Sequence, residues 1–497
     1  MLKNDKKNDA TVSIFREGVR ADDTGEKILY YTVCRNNIVA SYNIEDVLAN
    51  TETSLELNEE SVSFFLQNGF IPASQTIYKN IFWLSIGDEA HYSVASPSRQ
   101  TVFTRFPYFR QHSSQQNSYN PEKLLDVLGR AIAERMTANK PAFLMLSGGK
   151  DSLSLALALS RAGLGNTVTG LTYGLEDQRY DESSMAVEAA RKLGLKHHIV
   201  RLKSGGDLKP LLTRFFQHSV FPCADEALIP YLRCMEFIKE DCQQSTAQII
   251  DGSGNDVYMG HVPGKSDVLK FKLAIGDTID LSELRGLLLR RLKISHLFDT
   301  KVETLFPGRR GVPPLLLNQL NSSLNDSSEF WRDLYEENKN LEYFDLRALC
   351  RGRHYDQGEV MLKARLATSV FGFDYAFPFC DQDVINYLFH LSEDERFDQV
   401  NYLNKIALRK LLRSELQYDD LKIGKKAFYL EGVEVVRNLK DFIFDEVGQC
   451  AYWNINTAKR LLTQCFKSLD QFSGFYRTIL ILFMLSGWLN HNKFLRK

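Results

Sequence analysis

Phe143-Leu-Met-Leu-Ser-Gly-Gly-Lys-Asp-Ser152 is the stretch from which the fold is read. Its apolar residues, Phe143 to Leu146, run directly into Ser147-Gly148-Gly149, and Lys150-Asp151-Ser152 lead into a Leu/Ala/Ser alternation ending at Ala162. The apolar run predicts a buried parallel strand, and residues 152–162 predict a helix stopped by Gly163. The small-residue turn between them places unpaired amides at a helix start, where the backbone dipole also favours an anion. A Ser/Gly turn alone is common at strand–helix joints for packing reasons. Asp151 makes this one specific, because a carboxylate beside phosphate is repulsive unless a cation bridges them. The pattern points to a pyrophosphate with Mg²⁺ held at Asp151.

Downstream, the same logic returns. The predicted strand 247–251 runs into Asp251-Gly-Ser-Gly-Asn-Asp256. By itself that loop is as good a tight turn as a ligand loop. Beside the first loop at one sheet edge, it offers Asp256 as a second carboxylate for the same Mg²⁺. Between the two loops, helix and strand alternate: strand 167–174, helix 181–194, strand HHIVRL, then helices DLKPLLTRFFQHS and DEALIPYLRCMEFIKEDC. This βαβ order predicts an open parallel sheet covered on both faces, with ligands at the carboxyl ends of its strands. From about Phe271 onward the pattern is mostly helical.

Upstream, residues 1–118 have a different texture: short β-branched and aromatic runs, interrupted by an amphipathic helix over Asn58–Gln67. Arg110–Asn120 (RQHSSQQNSYN) is polar and aperiodic and is the best linker in the chain. We therefore expect a β-rich domain over 1–118 and an α/β domain over 119–497.

The 497 residues leave room for more than one core. Hydrophobic content of 44% with 25% charged residues is that of a soluble globular protein, and a net charge of −1 gives no bulk attraction for nucleic acid or a membrane surface. The polar MLKNDKKNDA start is not a signal peptide, and the apolar run Thr478–Trp488 is too short to span a bilayer. Eight scattered cysteines without a Cys-x-x-Cys pair predict reduced core thiols, and a cytoplasmic location is expected.

The Ser147–Ser152 motif on a strand–helix joint resembles the PP-loop of the ATP pyrophosphatases. The wider series resembles the synthetase domain of the asparagine synthetase B family, whose members include β-lactam synthetases and lasso-peptide cyclases. The segments carrying that resemblance are residues 170–200, FPCADEALIPYL (221–232), GSGND, FGFDYAFPFCDQDVINYL (371–388), NKIALRKLL (404–412) and KIGKKAF (422–428). Ahead of the linker, LQNGFIPASQTIYKNIFWLSIG (66–87) is similar to the close of the family's class II glutaminase domain. The resemblance implies a PP-loop sheet with a helical C-terminal extension behind a shortened glutaminase-like domain. It also implies a ligase that adenylates a substrate carboxylate with ATP and then forms an amide with ammonia or an amine.

Residue roles follow from the same resemblance. Leu146 and Tyr173 would flank adenine and ribose, and Asp251 and Gly252 would contact the nucleotide through backbone. Ser147, Gly148, Gly149 and Ser152 would hold pyrophosphate, with Asp151 and Asp256 on Mg²⁺. Lys425 corresponds to the lysine that approaches the α-phosphate; without the resemblance it reads as a solvated lysine. Asp374 corresponds to an acidic residue behind the substrate, where it would act on or orient the amine, or simply pair locally.

The sequence also departs from the family. Glutamine-hydrolysing members place a cysteine after the initiator methionine, whereas this chain has Leu2, and Cys34 lies inside a predicted strand. No glutaminase activity is expected, so nitrogen would come from free ammonia, a partner glutaminase or an amine. Ser253, Val257 and Ala376 stand where relatives carry substrate-side residues. That puts asparagine itself in doubt and favours another small-molecule or peptide carboxylate. Lactam or macrocycle formation and a retired nucleotide-binding protein are the competing readings. RNA thiolation is disfavoured by the absence of a cysteine pair and a basic surface.

Overall fold

The computed structural model describes residues 13–15, 18–34, 37–51, 55–92, 100–110, 117–174, 183–201, 208–273, 305, 311–418 and 432–495. Eight strands precede residue 118 in the described residues. Strands β1 (Ser13–Phe15), β3 (Leu29–Cys34), β4 (Asn37–Ser41), β5 (Ser74–Gln75) and β6 (Ile81–Leu84) form an antiparallel sheet in the order β1-β4-β3-β6-β5. Strands β2 (Gly18–Arg20), β7 (Glu89–Tyr92) and β8 (Gln100–Phe103) form a second, three-stranded antiparallel sheet. The anticipated helix spans Glu59–Asn68, capped by Asn58 and ended by Gly69 at φ 89°. A left-handed residue is needed at that end, which glycine supplies without strain.

The second unit is built on strands β9 (Ala142–Met145), β10 (Val168–Gly174), β11 (Lys196–Arg201), β12 (Gln248–Ile250) and β13 (Asp374–Ala376), all parallel, in the order β11-β10-β9-β12-β13. The chain moves outward from β9 through β10 to β11, then returns to the other side of β9 with β12. The crevice between β9 and β12 is therefore the point where strand order reverses, which is where open α/β sheets bind ligands. Both glycine loops leave the carboxyl ends of these two strands. β9 is fully buried because helices cover both faces, so its four apolar residues need no polar alternation.

The helix after β9 spans Lys150–Arg161, two residues earlier than the sequence pattern suggests, so Lys150 and Asp151 lie in its first turn. The Thr478–Trp488 run sits within the helix Phe475–His491 and is buried throughout. No helix among the described residues is long and apolar enough to cross a membrane. All eight cysteines are free thiols, six of them buried.

Apolar packing crosses the expected boundary at residue 118. One buried cluster contains Ile28, Tyr30 and Trp83 together with Phe215, Phe221, Met361 and Trp488. A second joins Phe64, Phe70 and Phe106 to β9, the helix after it and Trp331. Polar contacts cross it too: Arg135 pairs with Glu26 at 2.7 Å, and Arg353 pairs with Asp88 at 2.9 Å.

Candidate active site

Ser147–Ser152 folds into a self-bonded loop. Ser152 Oγ receives the Ser147 N–H at 3.1 Å and lies 3.0 Å from Ser147 Oγ, while Ser147 Oγ receives the Gly149 N–H at 3.1 Å. These short-range bonds fix the turn before any ligand arrives, which lowers the ordering cost of binding. The second loop closes directly on it. A Cβ on Gly252 would stand 3.1 Å from both Asp151 Cβ and the Ser152 nitrogen. At Gly254, where φ is 107°, it would stand 2.5 Å from Cys380 Sγ. The glycines thus let two backbones meet at the switch point.

That approach brings Asp151 and Asp256 together around a third residue, Lys405. Its Nζ lies 2.8 Å from Asp151 Oδ2 and 3.0 Å from Asp256 Oδ1, and its side chain is 2% exposed. Burial works to lower the Lys405 pKa, but the two carboxylates outweigh it and hold the pKa above the usual lysine value. Asn255 donates to Asp151 Oδ1 at 2.6 Å, and the Tyr231 hydroxyl donates to Asp251 Oδ2. The Tyr418 hydroxyl donates to the Gly148 carbonyl.

A cavity of about 410 Å³ opens from this crevice. Ser147, Gly149, Asp151, Ser152, Asp251, Gly252 and Asp256 line one part of it. The rest is walled by Asp225 and Glu226 before the helix Leu228–Glu240, by Tyr355, Asp356, Glu359 and Lys363, and by Arg477. Asn68 and Gly69 of the N-terminal unit also reach it. Polar and ionic partners organise this wall: Lys363 lies 3.5 Å from Asp225, His261 Nε2 lies within hydrogen-bonding distance of Asp356 at 2.6 Å, and Arg477 pairs with Glu226. Burial pulls the Lys363 pKa down, yet Asp225, Asp251 and Glu359 together leave it raised, so Lys363 is a cation.

The sequence-derived site is partly assembled. The structure brings Ser147, Gly149, Asp151, Ser152, Asp251, Gly252 and Asp256 to one cavity. Leu146, Gly148 and Tyr173 are buried at the same sheet edge but are not among the cavity-lining residues. Lys425 lies outside the described residues. Asp374 requires correction as a residue behind the substrate. Strand register sets it level with Ala142 and Gln248, at the amino end of the sheet, where it is half exposed and paired with Lys140. The loops occupy the opposite end, so Asp374 has no route to the reacting groups. Lys405, Lys363 and Tyr231 are the principal residues that sequence reasoning missed.

The donor set is suited to a hard divalent cation. Two carboxylate oxygens converge on one point, shown by the Lys405 ammonium that both contact, and Mg²⁺ needs only one or two protein carboxylates when phosphates complete its shell. Among the described residues no group of three or more His, Cys, Asp and Glu side chains forms a metal cluster. An all-protein cage of the zinc type is therefore not what these residues build.

Comparison with known proteins agrees with the parallel-sheet fold. The asparagine synthase family model matches residues 123–483. A Methanocaldococcus jannaschii protein that carries the provisional name of glutamine-hydrolyzing asparagine synthetase 2 is 24% identical over 253 residues, 49% of this chain and 47% of that protein. Amidase chyE of Penicillium rubens is 26% identical over 271 residues, 50% of this chain and 38% of that protein. Amidase chry2 of Gibberella zeae is 26% identical over 260 residues, 48% of this chain and 37% of that protein. The chain thus spans less than half the length of each of these relatives. With the family match running through well over half of its residues, the chain belongs to the asparagine synthase family.

Proposed function

We propose that the protein is an ATP-dependent, AMP-forming carbon–nitrogen ligase. The observation that carries this reading is the meeting of two glycine loops at the β9/β12 switch point, with Asp151, Asp256 and Lys405 converging beside a turn suited to pyrophosphate. A substrate carboxylate oxygen attacks the α-phosphorus of ATP; the bond to the β-phosphate oxygen breaks, and pyrophosphate leaves as the acyl-adenylate forms. Ammonia or an amine then adds to the activated carbonyl, loses a proton and expels AMP, leaving an amide.

In this reading the chain's own groups have separable tasks. Ser147, Gly149 and Ser152 orient the β and γ phosphates, so the α-phosphorus faces the cavity. Lys405 offsets the charge of Asp151 and Asp256 and keeps the loops together. Bound Mg²⁺, held by Asp151 and Asp256, would neutralise charge on the departing pyrophosphate. Lys425 is retained as the cation for the α-phosphate, where fixed charge is worth most as negative charge grows. Lys363 and Arg477 supply positive charge in the wall that receives a carboxylate.

The N-terminal unit is read as related to a class II glutaminase domain, and the nitrogen is taken to arrive as ammonia or as an amine. The fungal relatives are named amidases and the archaeal one a glutamine-hydrolyzing synthetase, and both names fit chemistry at a carbon–nitrogen bond. Incubating the protein with Mg²⁺, ATP, ammonia or hydroxylamine and a panel of carboxylates tests the reading. It predicts AMP and pyrophosphate in equal amounts; ADP and inorganic phosphate as products would overturn it.

A further inference from the structure

A helical segment of unusual geometry, the π-helix Leu349–Val360, supplies Tyr355, Asp356, Glu359 and Val360 to the cavity. Wide turns of this kind are rare and concentrate at functional sites, and the intrinsic preference of a chain does not sustain twelve residues of one. Something outside must hold it. The outer side of this segment is gripped by the N-terminal unit. Arg353 donates to Asp88 through Nε at 3.1 Å and Nη2 at 2.9 Å, with Asp88 wholly buried. Ser85 Oγ donates to the Arg353 carbonyl at 2.9 Å. Two glycines let the units meet: a Cβ on Gly358 would stand 2.7 Å from the Ile71 carbonyl oxygen, and one on Gly352 would stand 3.2 Å from Phe106 Cζ. Just beyond the segment, Arg365 donates to the carbonyls of Gly25 and Glu26 at 2.8 and 3.0 Å.

Resting on the ligase reading above, we propose that the N-terminal unit is a positioning brace that sets the carboxylate specificity of the synthetase site. Ser85 and Asp88 act through Arg353 to fix the register of the π-helix and hence the placement of Tyr355, Asp356 and Glu359. Neither residue lines the cavity, and none of their contacts above involves the two glycine loops. Asp88 and Ser85 grip the π-helix from the side of the first sheet system, so their loss should act first on the carboxylate wall, although Gly352 of the same segment also packs near Val257 beside the second glycine loop. A bidentate buried ion pair is well suited to this task, since its fork geometry specifies orientation as well as proximity.

Asp88→Asn and the milder Ser85→Ala, made in the full chain, test the brace. Hydrogen–deuterium exchange of peptides covering 349–360 should rise at least tenfold in Asp88→Asn and at least threefold in Ser85→Ala. The affinity for Mg²⁺ and a fluorescent ATP analogue should stay within twofold of the parent. With a carboxylate that turns over in the panel, the carboxylate KM should rise at least fivefold in Asp88→Asn while the ATP KM stays within twofold. Unchanged exchange across 349–360, or ATP and carboxylate constants worsening together, would overturn the brace. Should Asp88→Asn fail to fold, Ser85→Ala decides the matter on the same readouts. Absence of turnover with every carboxylate counts against the ligase reading, while exchange and nucleotide affinity still decide whether the brace exists.

Discussion

Replacing Lys405 with methionine preserves side-chain length and removes one buried charge from between two carboxylates. In the parent, the ammonium is 2.8 Å from Asp151 and 3.0 Å from Asp256, with its own side chain 2% exposed. Removing one partner of a buried ionic cluster costs about 3–5 kcal/mol, because the remaining charges lose compensation. Asp151 and Asp256 are 20% and 38% exposed, so water screens part of the resulting repulsion and about 3 kcal/mol is the expected loss. Mg²⁺ should restore part of it by occupying the same oxygens. A dissociation constant of about 1 mM and 10 mM Mg²⁺ would return about 1.4 kcal/mol. Urea denaturation at pH 7.5 with ATP present, in EDTA and in 10 mM MgCl₂, measures both terms. A loss below about 1 kcal/mol would refute the view that Lys405 holds the loops together. A full loss with no response to Mg²⁺ would refute the assignment of Asp151 and Asp256 to the metal.

Three further outcomes are expected. Gly252→Ala places a methyl 3.1 Å from Asp151 Cβ and the Ser152 nitrogen, forcing the loops apart. ATP-dependent turnover should fall at least about tenfold, equal to about 1.4 kcal/mol of transition-state stabilisation, with little change in the circular dichroism spectrum. Asp374→Asn removes an exposed pair with Lys140 at the wrong end of the sheet, and steady-state turnover should change less than about twofold, since such pairs contribute about 0–1 kcal/mol. His354 is buried against Arg353, and burial followed by that guanidinium holds its pKa well below the usual histidine value. The unfolded chain takes up this proton below about pH 6.5 and the folded chain does not, so stability is lost as pH falls. His354 should add to the loss of stability between pH 7.5 and 5.5, read as a steeper pH slope in the parent than in His354→Gln in urea titrations.

The glycine loops were legible because their information is local. Strand, turn and helix start lie within ten residues, and a carboxylate such as Asp151 in a small-residue turn at a helix start is an uncommon local pattern. Lys405 is a different kind of residue. Its partners are 254 and 149 positions away, and only the closing of two loops brings them to it. NKIALRKLL could be recognised as a basic segment near the site, but nothing in it distinguishes Lys405 from Arg409 or Lys410 as the buried one. A signal was available for Asp374: an acidic residue that opens a parallel strand lies at its amino end, away from the ligand edge. Motif similarity placed it by family position and so missed the strand direction. The π-helix carries no periodic pattern, because its geometry is imposed by Asp88, Ser85 and the close approach at Gly358.

The N-terminal segment illustrates the limits of reading domains from texture. Its β-rich composition and polar linker mark a boundary near residue 118, and it does form its own sheets. Composition gives no sign that Ile28, Tyr30 and Trp83 would share a core with Phe221 and Trp488. Fusion of that extent means the unit cannot drift relative to the cavity, which is the mechanical condition for the brace proposed above.

The proposed reaction begins with attack of a carboxylate oxygen at the α-phosphorus of ATP. The direct measurement is transfer of label from a carboxylate enriched in ¹⁸O on both oxygens, in the presence of Mg²⁺, ATP and an amine. Mass spectrometry of the nucleotide product should show AMP carrying one ¹⁸O for every amide formed. Unlabelled AMP, or label appearing in inorganic phosphate beside ADP, would contradict it.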